Sequence, residues 1–411
     1  MLVPVRPARS LQQMTDLTHS ATRIAGPTLS RPGLLFAVLG LAGLVVPLVQ
    51  FKPNRIVPGE GVHLTAALGG AGWLLVLLLG LGLLAGISGR LPFRLRLAIG
   101  CAGVVITLLA IGATARALTP EGDTMARVAP ASGFWLLLLA FALAAADALS
   151  RMRLSLAGRW LMLGGAAVVI GAILWSGWLD GVSVMREYEA RKDLFWREAL
   201  RHLVLAFGSL GVALLIGLPV GIGIYLSSRL RRPVLGVLNI LQTIPSLALF
   251  GIMIPIFGWI AAHVPGAASV GVAGIGIFPA LVALFLYSLL PVVSNTLVGL
   301  NGVSAAARDA AFGLGMTQGQ VLRGVLLPLA LPVIIAAVRI VLVQNIGLAV
   351  IAGLIGGGGF GTFVFQGLNQ TAMDLVLLGA VPTIALALIA GIALDLAVEA
   401  LDHGKIERTE A

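Results

Sequence analysis

Long apolar runs alternate with short polar connectors along almost the whole of this chain. Within each run the apolar residues are continuous rather than alternating, which favours membrane-spanning helices over the strands of a barrel. Each run is long enough to cross a bilayer, since a span takes roughly 20 residues of helix. The pattern therefore predicts an all-α polytopic membrane protein with about ten transmembrane helices, at residues 33–50, 65–88, 97–117, 132–149, 160–179, 202–227, 233–258, 271–298, 329–351 and 374–400.

Composition agrees with this pattern. Of 411 residues, 59% are hydrophobic and only 11% are charged, and the mean hydropathy is +1.04, whereas about a quarter of the residues in a soluble domain are charged. Basic residues outnumber acidic ones by 27 to 17, but they lie between the apolar runs, where charges orient a protein in the bilayer. We therefore expect a lipid bilayer and no nucleic acid as a partner. Cys101 is the only cysteine, so an intrachain disulfide is excluded and no metal cluster is indicated.

The positions of the basic residues predict the orientation. If the N-terminus is cytoplasmic, 17 of the 27 basic residues fall in cytoplasmic segments, nine fall outside, and Arg339 lies within a span. Because cytoplasmic segments of membrane proteins carry an excess of Lys and Arg, we expect ten spans with both termini in the cytoplasm. No small-residue cleavage site follows the first span, so we expect that span to be retained.

The chain changes character near residue 180. The first five spans carry few polar side chains, whereas the later spans are richer in Pro, Gly, Asn and Gln. Irregular helices at membrane depth are tolerated where they face protein or water, so the second half is the expected working part. A charged, balanced segment between the halves predicts a helix on the external surface. The predicted organisation is a cytoplasmic tail (1–31), a five-helix membrane extension (32–180), an external amphipathic segment (181–201), a core (202–400) and a cytoplasmic tail (401–411).

A stretch rich in Ala, Gly and amides separates the eighth and ninth apolar runs. Ser304 can cap a short helix over residues 305–312, and Gly313–Gly315 supplies a stop and a tight turn. Thr317 and Gln320 stand at capping-box spacing, which predicts a second helix start. The stretch therefore predicts a helix, a turn and a helix along the cytoplasmic membrane face, with a small-residue surface that a partner can approach closely.

The spacing within this stretch carries a family resemblance. Asp309-Ala310-Ala311, three residues, Gly315, nine residues, Val325, one residue and Leu327-Pro328 resemble the EAA loop of permease subunits of binding-protein-dependent ABC importers. Asp309 stands where that pattern has Glu, and Val325 where it has Ile. The resemblance implies that residues 301–327, here called the coupling loop, dock in a cleft of a cytoplasmic ATPase. The residues predicted to couple to the ATPase are Ser304, Asp309, Ala310, Ala311, Gly315, Thr317, Gln320, Leu327 and Pro328.

Two further stretches, Leu241–Gly258 and Arg339–Gly361, resemble the permeases of glycine betaine, choline and carnitine importers, over about residues 195 to 400. This resemblance implies a five-helix ABC permease core of MetI-like fold in the bacterial inner membrane. It also implies a second permease subunit and an extracytoplasmic binding protein as partners. ATP-Mg would bind the separate ATPase, so this chain is expected to bind no cofactor and to be no enzyme. The first five spans lie outside the resemblance.

Polar residues inside the later spans predict either a translocation path or contacts with another helix, and the sequence leaves both open. Arg339 has no evident acidic partner in the neighbouring spans, so pairing with carbonyls or amides is favoured over contact with substrate. Gly356–Gly361 predicts an external turn or gate, or a plain loop. Gly217 and Gly221 form a GxxxG pair that favours helix packing. The candidate path residues are Gln242, Thr243, Pro245, Ser246, Asn295, Arg339, Gln344 and Asn345.

Other readings of the sequence are weaker. A quaternary ammonium would be held by aromatic faces, and Phe257, Trp259 and Tyr287 are candidates, although membrane-belt or core packing is favoured for all three. No Walker A loop occurs, because the only Gly-Lys pair, Gly404-Lys405, is followed by Ile. The alternative function is an ion-coupled secondary transporter of small polar solutes. Such proteins place ionisable residues or unwound repeats at the bilayer midplane, and neither pattern is found. The histidines are too scattered to favour a membrane enzyme.

Overall fold

The computed structural model describes residues 29–54, 57, 59–120, 122–123, 125–152 and 154–410, with the side chains of 401–410 excepted. The predicted N-terminal tail lies almost wholly outside the described residues. The chain divides into two compact units, Met1–Arg153 and Leu154–Ala411. Both are built mainly of helices, as the apolar runs predict.

Among its described residues, the first unit contains four helices and a small antiparallel sheet formed by their connectors. The helices are α1 (Arg31–Val45), α2 (Leu64–Ile87), α3 (Phe93–Leu118) and α4 (Ser132–Arg151). The strands are β1 (Val49–Lys52), β2 (Glu60–Val62) and β3 (Arg127–Pro130), in the order β2-β1-β3. Gln50 of the central strand lies opposite Gly61 on one side and Ala129 on the other. The sheet is not predicted by the sequence pattern, because strands this short show too few residues of alternation.

Two local features shape this first unit. Val46 has an extended backbone, which the following Pro47 favours, so α1 ends before the end of the predicted span and the chain enters β1. Helices α3 and α4 approach closely at Gly103, where an added Cβ would lie 2.1 Å from the Phe141 ring.

The second unit contains the remaining helices. Its α-helices are α5 (Leu156–Trp175), α6 (Ser183–Ala190), α7 (Lys192–Leu226), α8 (Ser228–Thr243), α9 (Ser246–His263) and α10 (Ile277–Asn301), followed by α11 (Ala305–Gly313), α12 (Gln318–Val321), α13 (Leu327–Leu348), α14 (Gly361–Asn369) and α15 (Met373–Glu410). Short 3-10 turns lie at Ala268–Val270 and Ile351–Ile355, and a π-helical turn lies at Leu322–Leu326.

Helices α7, α10, α13 and α15 pack together as the core of this unit. Gly217 and Gly221 of α7 face α10, where an added Cβ would lie 2.8 Å from Val292 and 2.7 Å from Thr296. Their small size allows the two helices to approach, so the packing role predicted for this pair is confirmed.

Among the described helices, nine are long and apolar enough to cross a membrane. They are α2, α3, α4, α5, α7, α9, α10, the stretch Gln318–Leu348, and Met373–Ala400 within α15. The first predicted span corresponds to α1, a shorter apolar helix. The count therefore agrees with the prediction of about ten.

The predicted seventh span, 233–258, is not one helix. Helix α8 ends at Thr243, Ile244 is extended, and α9 begins at Ser246. Ile244 is extended because the ring of Pro245 disfavours a helical residue before it. Only α9 qualifies as a span, so the prediction of a continuous helix was wrong here.

The unit boundary also differs from the predicted division near residue 180. Helix α5 packs against α15, and Arg159 forms an ion pair with Glu399 at 2.6 Å, so α5 belongs to the second unit. The segment predicted as an external helix consists of α6 and the first turns of the 35-residue α7. Helix α15 continues through most of the predicted C-terminal tail.

Candidate functional site

The coupling loop consists of two capped helices, as predicted. The Ser304 hydroxyl accepts a hydrogen bond of 3.3 Å from the Ala307 N–H at the start of α11. Thr317 and Gln320 form a complete capping box at the start of α12. In it the Thr317 N–H donates to the Gln320 side chain at 2.8 Å, and the Gln320 N–H donates back to the Thr317 hydroxyl at 3.4 Å.

A Schellman turn joins these two helices. The Met316 N–H donates to the Ala311 carbonyl at 3.2 Å, and the Gly315 N–H donates to the Phe312 carbonyl at 2.9 Å. Gly315 has a φ of 80°, in the left-handed region that glycine adopts at little cost. The predicted helix stop is thus confirmed, and Gly315 is the residue on which it depends.

A π-helical turn, Leu322–Leu326, connects α12 to α13. Pro328 follows this π-helical turn within the continuous helical stretch Gln318–Leu348, and it has no backbone N–H to donate to the preceding turn. The coupling loop therefore passes directly into a membrane span.

One face of the coupling loop is exposed. Arg308, Asp309 and Ala310 all lie on it. Leu314, at the tip of the turn, is 84% exposed, and Phe312 beside it is also exposed. The sequence analysis did not single out either of these apolar side chains as a docking residue. Large apolar residues within a polar stretch could have indicated a docking surface.

The opposite face of the coupling loop is anchored in the core. Ala311 is only 4% exposed and packs in one cluster with Leu326 of the loop, Leu300 of α10, and Ala330 and Ile334 of α13. The loop is therefore packed against two core helices, α10 and α13.

Asn345 lies at a buried junction of three helices. Its Nδ2 lies 2.9 Å from the hydroxyl oxygens of both Ser209 of α7 and Ser288 of α10. All three residues are almost completely buried. Of the two predicted roles, contact between helices describes Asn345 in this structure.

The predicted path residues of the seventh span gather around the break between α8 and α9. The Gln242 side chain donates to the Tyr287 carbonyl at 2.8 Å, and the Tyr287 hydroxyl donates to the Ile244 carbonyl. Through these two hydrogen bonds, Tyr287 of α10 supplies partners for the Gln242 side chain and the Ile244 carbonyl at the helix break. The other predicted residues of this span, which are exposed or half-buried, are Thr243, Pro245 and Ser246.

Two more predicted path residues lie apart from this break. The Asn295 side chain donates to the Pro291 carbonyl of its own helix at 2.8 Å, and Gln344 is half-buried on α13. The predicted path residues are thus divided between the three-helix junction, the helix break and separate positions on α10 and α13.

Arg339 has an acidic partner, contrary to the prediction. Its guanidinium forms an ion pair with Asp395 of α15, and both side chains are partly exposed. The packing of α13 on α15 brings the two side chains together.

The three aromatic candidates for a cationic substrate make separate contacts. The Phe257 ring packs edge-on against Phe278, with 5.0 Å between ring centroids. The exposed Trp259 stacks on His263 at 4.8 Å, and Tyr287 binds the helix break. These contacts favour the packing role.

Gly356–Phe360, here called the glycine loop, packs against two buried polar residues that the sequence did not single out. Glu198 and His202 lie one turn apart on α7 and are 2% and 0% exposed. The Gly359 N–H donates to the Glu198 carboxylate at 2.7 Å, and the Phe360 N–H donates to His202 Nδ1 at 3.3 Å. A long-range contact of this kind leaves no signal in sequence spacing.

Among the residues that the structure describes, no group of three or more His, Cys, Asp or Glu side chains is placed to hold a metal ion. The features described above are apolar spans, a helical core, and a coupling loop that is exposed on one face and packed on the other. This architecture is that of a polytopic helical membrane protein.

Comparison with known proteins agrees with this class. Residues 213–406 match the family described as binding-protein-dependent transport system inner membrane component, and residues 30–185 match the N-terminal domain of ABC transporter permease YehY. The osmoprotectant import permease protein OsmW of Salmonella typhimurium is 42% identical over 189 residues, which cover 46% of this chain and 83% of OsmW. The choline transport system permease protein OpuBB of Bacillus subtilis is 34% identical over 207 residues, covering 50% and 88% of the two chains.

A chain of the MetNI methionine ABC transporter, solved in an inward-facing conformation, is 28% identical with a TM-score of 0.46, covering 52% of this chain and 98% of that one. By its sequence relatives, the chain belongs to the binding-protein-dependent transport system inner membrane components. It is a multi-pass inner-membrane permease subunit of an ABC importer.

Proposed function

We propose that this chain is the permease subunit of an ATP-driven importer for glycine betaine or a related quaternary-ammonium osmoprotectant. The substrate class is supported by the relatives named for osmoprotectant and choline transport and by the stretches Leu241–Gly258 and Arg339–Gly361. The chain itself carries out no chemistry. Its work is to change between conformations that open to one side of the membrane or the other.

The observation that carries this proposal is the coupling loop, exposed on one face and anchored on the other. Asp309 and Leu314 lie on the exposed face, and Ala311 packs against α10 and α13. We propose that the exposed face docks in a cleft of a cytoplasmic ATPase, which binds ATP-Mg. Closure of the ATPase would then move the two core helices through the buried face.

The remaining partners follow from the same proposal. A second permease subunit completes the membrane pore, and an extracytoplasmic binding protein delivers the substrate. Both termini and the coupling loop lie in the cytoplasm. Because the binding protein provides most of the selectivity, the permease path needs only weak contacts, for which the residues of the helix break and Arg339 are the candidates.

Uptake of labelled glycine betaine tests the proposal. The chain would be expressed with its ATPase, its binding protein and any second permease subunit in cells that lack other betaine transporters. The matched control carries an ATPase variant that cannot bind ATP. Unlabelled choline and carnitine, added as competitors, would identify which solute is preferred.

We expect uptake with the intact ATPase and none with the variant. Uptake that persists with the variant, or that stops with an uncoupler while cellular ATP is held constant, would instead support an ion-coupled transporter. ATP-dependent uptake of a different solute class would retain the importer but reject the osmoprotectant substrate.

A further inference from the structure

The glycine loop lies at the far end of the core from the coupling loop. Helix α13 begins at the coupling loop and has 22 residues, which makes it about 33 Å long at 1.5 Å per residue. The chain then passes through Ile351–Ile355 into the glycine loop and α14. With the coupling loop in the cytoplasm, the glycine loop lies at the outer end, where substrate is delivered.

Glu198 binds the loop side through hydrogen bonds to Gly359 and Thr362. Its carboxylate accepts hydrogen bonds from the Gly359 N–H at 2.7 Å, the Thr362 hydroxyl at 3.3 Å and the Arg201 guanidinium at 3.0 Å. The carboxylate is buried, whereas the Arg201 side chain is nearly half exposed. Donors from the loop and the partly exposed Arg201 therefore both compensate the buried charge of Glu198. Hydrogen bonds to a charged acceptor are stronger than hydrogen bonds between neutral groups.

His202 fastens a second point. Its Nδ1 accepts from the Phe360 N–H at 3.3 Å, and its Nε2 lies 3.1 Å from the Ile346 carbonyl. An acceptor at Nδ1 places the proton on Nε2, which donates to that carbonyl. The imidazole ring thus links α7, α13 and the glycine loop, and it also packs against the Phe360 ring at 4.9 Å between centroids.

The loop approaches α7 so closely that side chains would prevent the contact. An added Cβ on Gly358 would lie 2.6 Å from the Glu198 carboxylate, and one on Gly359 would lie 3.0 Å from His202 Nδ1. Both glycines also have positive φ, 79° and 81°. The glycines therefore allow two backbone N–H groups to reach the side chains of α7.

These hydrogen bonds connect the glycine loop to α7 and are not part of the hydrogen-bond pattern of any helix. They join a side chain of one element to the backbone of another, across 161 and 158 residues of sequence. Breaking them removes no hydrogen bond within α7 or α14, and full release of the loop would also separate the buried Phe360 ring from the Phe195 ring of α7, 5.4 Å away between centroids.

We propose that Glu198 and His202 form a two-point latch that holds the glycine loop against α7 and keeps the outer end of the permease core closed between transport cycles. Both are positioning residues, since they act through the loop. The latch rests on the proposed function, because it opens when the loaded binding protein and ATP engage the complex.

The first test is hydrogen–deuterium exchange in the complete complex, reconstituted in nanodiscs with its ATPase, its second permease subunit and its binding protein. We expect the amides of Gly359 and Phe360 to be protected at rest and to exchange faster during turnover with ATP and betaine-loaded binding protein. A purely structural contact would stay protected in every state.

The second test is ATP hydrolysis with and without the binding protein. Glu198→Gln keeps an acceptor for the Gly359 N–H but removes the negative charge. The ratio of the ATP hydrolysis rate without binding protein to the rate with it should therefore rise on the order of fivefold. Thr362→Val, which removes one donor to Glu198, should give a smaller rise in the same direction.

Matched controls make the same chemical changes elsewhere. Glu189→Gln alters a carboxylate that is 71% exposed, and Thr383→Val removes a hydroxyl that bonds only to the Gly379 carbonyl of its own helix. Neither control should change the ratio of the two hydrolysis rates. The latch is rejected if uptake is ATP-dependent but the loop amides stay protected during turnover and the Glu198 variant behaves like its control. Absence of ATP-dependent uptake in the unmodified complex would instead reject the proposed function on which the latch rests.

Discussion

Gly315 provides the most direct test of the coupling loop. It has a φ of 80° at the left-handed position of a Schellman turn, and apart from its two chain neighbours no described atom lies within 4 Å of an added Cβ. A substitution there meets open space, so its cost comes from the backbone alone. An L-residue in the left-handed region costs about 1–2 kcal/mol relative to glycine, which is a factor of roughly 5 to 30 in the population of the native turn.

Gly313 supplies the matched control. It also has open space around an added Cβ and has no positive φ, because it is the last residue of α11. Gly313→Ala should therefore leave the turn intact, since Ala is favoured over Gly in a helix by about 0.5–1 kcal/mol. The two substitutions add the same methyl group two residues apart on the same surface.

ATP-dependent uptake and co-purification of the ATPase measure the effect. We expect uptake to fall severalfold in Gly315→Ala, further in Gly315→Val because a β-branched residue tolerates this region least, and least in Gly315→Asn, since Asn is enriched there. Membrane insertion should be unchanged in all three. Equal uptake in Gly315→Ala and Gly313→Ala would refute the claim that the left-handed turn is required for coupling.

Three further predictions concern the docking face and the core. Leu314→Ala should reduce co-purification of the ATPase without changing the amount of inserted permease, whereas Leu329→Ala, a change at a leucine of α13 that is 47% exposed, should not; equal losses would argue against docking at the turn. Arg339→Ala and Asp395→Ala should each lower the melting temperature of the purified complex. The double variant should lose less stability than the sum of the two single variants, with a coupling energy of up to about 1 kcal/mol for a partly exposed pair. Strict additivity would contradict the ion pair. Asn345→Ala should destabilise the core by about 1–2 kcal/mol, because interhelical hydrogen bonds within membranes average below about 1 kcal/mol each, and unchanged thermal stability would show that the three-helix junction contributes little.

The coupling loop shows how far local signals reach. Ser304, the Thr317–Gln320 capping box and Gly315 act through neighbours only three to five residues away, so their geometry was predictable from spacing. The exposure of Leu314 was not, because it depends on which face of the loop the core covers. Ala311 takes the buried face, and Leu314 is left outside.

The membrane spans show a similar division. Continuous apolar runs predicted the helices, since a segment in lipid must satisfy its backbone hydrogen bonds internally. The pattern was wrong at Pro245, where apolarity continues through a break that the backbone cannot avoid. It also missed the three strands of the first unit, whose pairing joins connectors from different parts of the chain.

By itself, the sequence determined the class of protein, the approximate number of spans and the position of the coupling loop, because composition, helix capping and turn chemistry act over a few residues. Only the tertiary structure decided the partners of the polar groups within the helices. Asp395 pairs with Arg339, Ser209 and Ser288 surround Asn345, and the glycine loop reaches Glu198 and His202. These contacts depend on which helix faces pack together, since a buried charge or amide takes its partner from whichever neighbour the packing places within hydrogen-bond distance.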